Sequence, residues 1–135
     1  MLTADQILSE PYVAVKPETS VGKAIEKMVA EKASVVLVLS EDFQLIGTLA
    51  ESVLLRATID AHLRQDPVSL HMNRRFSTVS KHAPIDVVLD QFVLHDLRYL
   101  PVIAVDGYVS GVISRDDLLR ALFGNNALVD VQTTG

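Results

Sequence analysis

The 135-residue chain is 49 % apolar and carries 17 acidic against 12 basic residues, a net charge of −5, with no cysteine. That is enough apolar material for one compact core or two joined half-domains. The acidic balance excludes a general nucleic-acid or anionic-membrane surface, and the absence of cysteine excludes a disulfide framework or a thiolate metal site.

The first residues lack the basic and apolar regions of a secretory signal, and no apolar run approaches the roughly 20 residues that cross a bilayer. The expectation is a soluble cytoplasmic protein with no membrane insertion. Thr3 to Leu8 suits a short helix that Pro11 brings to an end, and Tyr12 to Val15 reads as a short strand. Pro17-Glu18-Thr19-Ser20 forms a turn and cap. Val21, Ala24, Ile25, Met28 and Val29 then fall on the stripe of a helix with one buried face, for which Ser20 is the N-cap.

Val35 to Leu39 is a continuous apolar run rich in β-branched residues, the pattern of a strand covered on both faces. A turn through Ser40, Glu41 and Asp42 leads to an antiparallel partner at Leu45 to Leu49, and a helix is expected from Glu51 to Ala61. Arg64-Gln65-Asp66-Pro67 reads as a polar connection, followed by a segment to Arg75 with room for a helical turn.

The pattern then recurs at a fixed offset of 64 residues: Val15 matches Val79, Val21 Ile85, Met28 Phe92, Val38 Val102, Asp42 Asp106 and Gly47 Gly111. Leu54-Leu55-Arg56-Ala57 matches Leu118-Leu119-Arg120-Ala121 without insertion. The second copy has clearer punctuation: Pro84 suits a first helical turn, Asp106-Gly107 a tight hairpin, and Gly124 a helix stop before Asn125-Asn126. The expected organisation is a first repeat with its N-terminal helix at 1–62, a linker at 63–76, a second repeat at 77–124 and a flexible tail at 125–135.

The richest junction is Gly111-Val112-Ile113-Ser114-Arg115-Asp116-Asp117-Leu118-Leu119, where a strand meets a helix start. Unpaired N–H groups and a positive dipole end suit an anion there, and a carboxylate three residues in can accept from sugar hydroxyls. Ser114-Arg115-Asp116-Asp117 also reads as a variant capping box, which needs no ligand. Against that bland reading stands the first copy, which has Ala50 and Val53 where the second has Ser114 and Asp117. Asp116 and Asp117 diverge by about 100° on a helix and so cannot act as a paired acid and base. His62, His71, His82 and His95 show no metal-ligand spacing, and no Walker, Rossmann or nucleophile-elbow motif occurs.

The twofold strand-helix-strand-strand-helix pattern, the Tyr99-Leu100-Pro101-Val102-Ile103 strand and the Gly111 to Leu119 junction together resemble a tandem pair of CBS (cystathionine β-synthase) domains, the Bateman module. The resemblance implies an α+β fold of two βαββα repeats packed through their sheets with pseudo-twofold symmetry. It also implies a regulatory rather than catalytic protein, a homodimer, and a cleft for AMP, ADP, ATP or S-adenosylmethionine whose occupancy modulates a partner protein. In that cleft Asp117 would hold the ribose, Ser114 would face the ribose or α-phosphate, Arg115 would add charge at the rim, and Arg98, just before the Tyr99 strand, would meet the phosphate. Val112 would cover the adenine, whose other side would lie against Pro11, Tyr12 and Val13, with Ala33 and Ser34 in the wall.

In the first copy Ala50, Val53 and Glu51 replace Ser114, Asp117 and Arg115, so the expectation is one nucleotide site per chain. Leu54, Leu55, Leu118, Leu119, Leu122 and Phe123 exceed what one small core needs, which points to a subunit contact. A scaffold with two vestigial clefts is the competing reading, and a hydrolase using Asp116 and His95 a remote third.

Overall fold

The computed structural model describes residues 2–9 and 11–124. The chain divides into two compact units: one formed by residues 11–76 with 107–109, the other by residues 2–9, 77–106 and 110–124. Each is α+β, with one three-stranded sheet and helices packed on it.

In the first unit β1 (Val13–Val15) runs parallel to β2 (Val36–Leu39), which pairs antiparallel with β3 (Leu45–Leu49) in the register Val36 to Leu49 and Val38 to Gly47. Val36, Leu37 and Val38 are all fully buried, so successive side chains on opposite faces are both covered, as the unbroken apolar run predicts. Helix α1 (Val21–Ala30) starts at Ser20, whose hydroxyl accepts from the Lys23 N–H at 3.1 Å. Val21 and Ala24 join Val13, Val15, Val36 and Val38 in the core.

The helix expected from Glu51 to Ala61 is instead two. Helix α2 spans Glu51–Ala57 and α3 spans Ala61–Gln65. The break is local chemistry: the Thr58 hydroxyl donates back to the Leu55 carbonyl, and the Asp60 carboxylate accepts from the Leu63 N–H at 3.1 Å, starting a new helix. Nor does 63–76 behave as a free connection, because Leu63 and Val68 are buried in the first unit's core and Val68–Leu70 forms a 3-10 turn there.

The second unit repeats the plan with β4 (Val79–Ser80) parallel to β5 (Tyr99–Ile103), β6 (Val109–Ser114) beside β5, and helices α4 (Ile85–His95) and α5 (Arg115–Gly124). Pro84 occupies the position just before α4. Val88, Leu100, Val102 and Ile113 are fully buried. Gly124 is the last described residue, and the expected tail at 125–135 lies outside the described residues.

The N-terminal segment, expected with the first repeat, packs into the second. A 3-10 turn at Ala4–Gln6 buries Ala4 and Ile7 in the second unit's core, with Ala4 N–H donating to the Ala83 carbonyl, Ile85 N–H to Leu2 and Ser9 N–H to Val112. The segment before the second repeat does the same for the first: Val68 N–H donates to Thr19, Val21 N–H to Asp66 and Asn73 N–H to Thr48. Each pair of contacts is related by the 64-residue offset, so each repeat is closed by the segment preceding the other.

This exchange explains the two matched glycines. A Cβ on Gly111 would lie 3.0 Å from Leu8, and one on Gly47 2.5 Å from Met72, both side chains of the closing segments. A side chain at Gly47 would force Met72 to move, and one at Gly111 would require Leu8 to give by a few tenths of an ångström.

Candidate functional site

At the β6 to α5 junction the strand ends on Ser114 and the helix begins at Arg115. The Ser114 hydroxyl accepts from the Asp117 N–H at 3.0 Å, so the capping function read from the sequence is present. Ser114 is itself positioned by Ser9: the Ser114 N–H donates to the Ser9 hydroxyl at 2.9 Å, and the two hydroxyls are 3.2 Å apart. The Ser9 N–H also donates to the Val112 carbonyl, which ties the closing segment to the strand beneath the helix start.

The Asp117 carboxylate accepts from the Arg120 guanidinium at 2.8 Å and is 42 % exposed. The Ser9 hydroxyl beside it lowers its pKa most; partial burial works in the opposite direction, and Ser114 and Arg120 add to the lowering. Asp117 is therefore held below the ordinary carboxylate range and is an ionised acceptor at neutral pH.

Next to this group a solvent-open recess is lined by Arg98, Tyr99, Ser114, Arg115 and Asp116. The Arg115 N–H donates to the Arg98 carbonyl at 2.8 Å, so the entry to β5 and the first residue of α5 are clipped together. Two arginines and a helix start consequently line one recess.

Of the residues expected in the site, Arg98, Ser114 and Arg115 meet at the recess. Asp117 stands one helix position beyond Asp116, linked to the rim through Ser114. Val112 is buried and joined to the group by its carbonyl. Pro11, Tyr12, Val13, Ala33 and Ser34 belong to the other unit, where Val13 is core, Tyr12 and Ala33 are half-buried, and Pro11 and Ser34 are exposed. Sequence reasoning missed Ser9. The offset of 64 could have found its segment, since it relates the turn at Ala4–Gln6 to that at Val68–Leu70.

The corresponding junction of the first repeat lacks these features. Ala50 precedes α2 with no side-chain cap, Val53 stands for Asp117, Glu51 for Arg115, Ser34 for Arg98 and Asn73 for Ser9. Among the described residues no group of three or more His, Asp or Glu side chains is arranged to hold a metal ion, and no helix is long and apolar enough to cross a membrane.

Two repeats of this architecture, one with a polar junction, define a tandem-repeat α+β module. The profile of the CBS domain matches it twice, at residues 4–60 and 67–124, and the chain belongs to the CBS domain family. Solved CBS structures share the fold: CBSX2 in complex with AMP is 22 % identical, with a TM-score of 0.78 over 93 % of this chain and 99 % of that one. The Pyrobaculum aerophilum CBS domain protein PAE2072 complexed with AMP is 19 % identical, with a TM-score of 0.78 over 98 % and 99 %. The CBS domain pair of MJ0100, complexed with 5′-methylthioadenosine and S-adenosyl-L-methionine, is 18 % identical, with a TM-score of 0.78 over 92 % and 98 %.

In sequence, an uncharacterized 17.7 kDa protein of Acidianus ambivalens is 25 % identical over 87 % of this chain and 71 % of its own length. The A-adding tRNA nucleotidyltransferase of Aquifex aeolicus is 26 % identical over 90 % of this chain, which spans only 14 % of that protein.

Proposed function

We propose that this chain is a non-catalytic regulatory module that binds one adenine nucleotide at the second repeat's strand-to-helix junction. The observation that carries the reading is the contrast between junctions: an ionised Asp117, two linked hydroxyls and the Arg98 and Arg115 guanidinium groups in one copy, and Ala50, Val53 and Glu51 in the other. Asp117 accepts from ribose hydroxyls, Ser114 and the α5 N–H groups face the α-phosphate, and the two arginines take phosphate charge. Val112 is the proposed adenine-side residue of this unit.

Two guanidinium groups favour AMP, ADP or ATP over S-adenosylmethionine, which has no phosphate. Such a ligand makes the module a sensor of adenylate energy state, and it acts on a partner only through unequal affinity for two conformations. The cysteine-free chain suits the reducing cytoplasm.

The self-association we propose uses a repeated helix face. Val29, Leu55 and Ile59 are exposed in one unit, and Val93, Leu119 and Phe123, each 64 residues on, in the other. Leu54, Leu118 and Leu122, expected at this contact, are instead buried in the unit cores. A homodimer covers such a face.

Calorimetric titration with AMP, ADP, ATP and S-adenosylmethionine tests the site. Phosphorylated ligands are expected to bind with one site per chain, and Asp117→Ala and Arg98→Ala to weaken them. Unchanged affinity in both variants contradicts the assignment. The degenerate first junction favours one rival, a docking scaffold without a ligand, and a thermal melt that no nucleotide shifts would support it.

A further inference from the structure

The turn between β2 and β3 has a side chain that neither unit's core nor the nucleotide recess uses. Phe43 has a φ of 63° and is 63 % exposed. The residue 64 positions on is Gly107, with a φ of 89°. In this left-handed region a side chain crowds its own backbone and glycine does not, so the second copy has the relaxed solution and the first does not. Leaving an aromatic ring in water is a second cost at the same position.

A single exposed apolar residue is ordinary, but this one has company. Tyr108 is 46 % exposed and bridges Gln44, the residue after Phe43; residues 107–109 belong to the same unit as this turn. The residues before Phe43 are Glu41 and Asp42, both exposed. The turn thus carries an exposed ring and two exposed acidic residues in sequence, one residue from the backbone bridge that brings Tyr108 to it. The counterparts of Phe43 and Tyr108 are Gly107 and Gln44, so this pair of aromatics occurs in one copy only.

We propose that the Phe43 and Tyr108 patch docks a basic, apolar segment of a partner protein. An aromatic or aliphatic side chain of that segment packs on the two rings, and flanking lysines or arginines meet Glu41 and Asp42. Opposite charge supplies orientation and encounter rate, while the buried ring supplies most of the affinity. This inference rests on the regulatory reading in one respect, that a partner protein exists.

The test titrates the isotope-labelled full chain with a synthetic peptide carrying a Trp-Leu anchor between lysines, followed by amide chemical shifts. Control peptides replace the lysines by glutamates or the anchor by serines. The lysine-flanked peptide is expected to shift residues 41–44 and 107–109, and the controls are not. Phe43→Ser is expected to weaken it about tenfold or more, the scale of truncating an aromatic anchor. Phe43→Gly is expected to lose the peptide equally while its melting temperature stays the same or rises, which separates docking from stability.

Absence of binding, shifts elsewhere, or affinity indifferent to both variants would overturn the proposal. A fall in oligomeric state in Phe43→Ser would also overturn it, making the patch a contact between copies. AMP binding, measured on the same samples, should survive Phe43→Ser. Peptide binding without AMP binding would sink the nucleotide site and leave the docking surface standing.

Discussion

The two strand-to-helix junctions share a backbone plan and differ in chemistry. Both follow a β-strand, both sit on a glycine approached closely by an exchanged segment, and both start a helix with the same Leu-Leu-Arg-Ala stretch. Yet the helix at Arg115 has a hydroxyl cap and that at Glu51 has none. The architecture therefore does not require Ser114 or Asp117, because the first repeat builds the same elements without them. What those residues add is an ionised acceptor and hydroxyls beside a cationic rim.

The largest expected effects test whether the two units are equal in their cores. Leu100 and Val36 are counterparts, both fully buried. Leu100→Ala should cost about 2–5 kcal/mol in urea unfolding and Val36→Ala somewhat less, since fewer methyl groups are lost. A negligible effect of either would show that one unit contributes little to stability.

Next comes the ligand. Asp117→Ala should weaken nucleotide binding by about 1.5–3 kcal/mol, the loss of charge-assisted contacts, whereas Val53→Ala should leave it within error. Sensitivity in the opposite order would reverse the comparison.

The caps give a smaller, reciprocal pair. Ser114→Ala should lower stability by about 1 kcal/mol, and Ala50→Ser should raise it by up to a similar amount, read from denaturant midpoints. If Ala50→Ser gained nothing, the uncapped helix start would be satisfied in another way.

The smallest effect is electrostatic. Because the folded pKa of Asp117 lies below its ordinary value, its stabilisation is present above pH about 4 and is lost as pH falls through the lowered value. Asp117→Asn should therefore flatten the acid limb of the stability profile. The half-exposed pair with Arg120 contributes only a few tenths of a kcal/mol to it.

Much of this was legible in the sequence. Period, strand run, glycine and helix start stay in phase because the repeats solve the same packing problem, so Val35 to Leu39 and the Gly111 to Leu119 stretch could be placed directly. The closing segments could not. Ser9 and Ser114 meet across 105 positions of chain, and such a contact leaves no local periodicity. The break between α2 and α3 was hidden for a different reason: Thr58 and Asp60 compete for the backbone through side-chain hydrogen bonds, which an apolar stripe does not report. The site was half legible. Arg98, Ser114 and Arg115 line one recess, while Asp117 is turned toward Arg120, and Asp116 rather than Asp117 lines the recess.

The most direct test is a titration of the isotope-labelled chain with AMP, followed at the backbone amides of both junctions. One saturating set of shifts at residues 114–117, with residues 50–53 unmoved, is the predicted outcome. Shifts centred on residues 50–53, or equal at both junctions, would contradict the account.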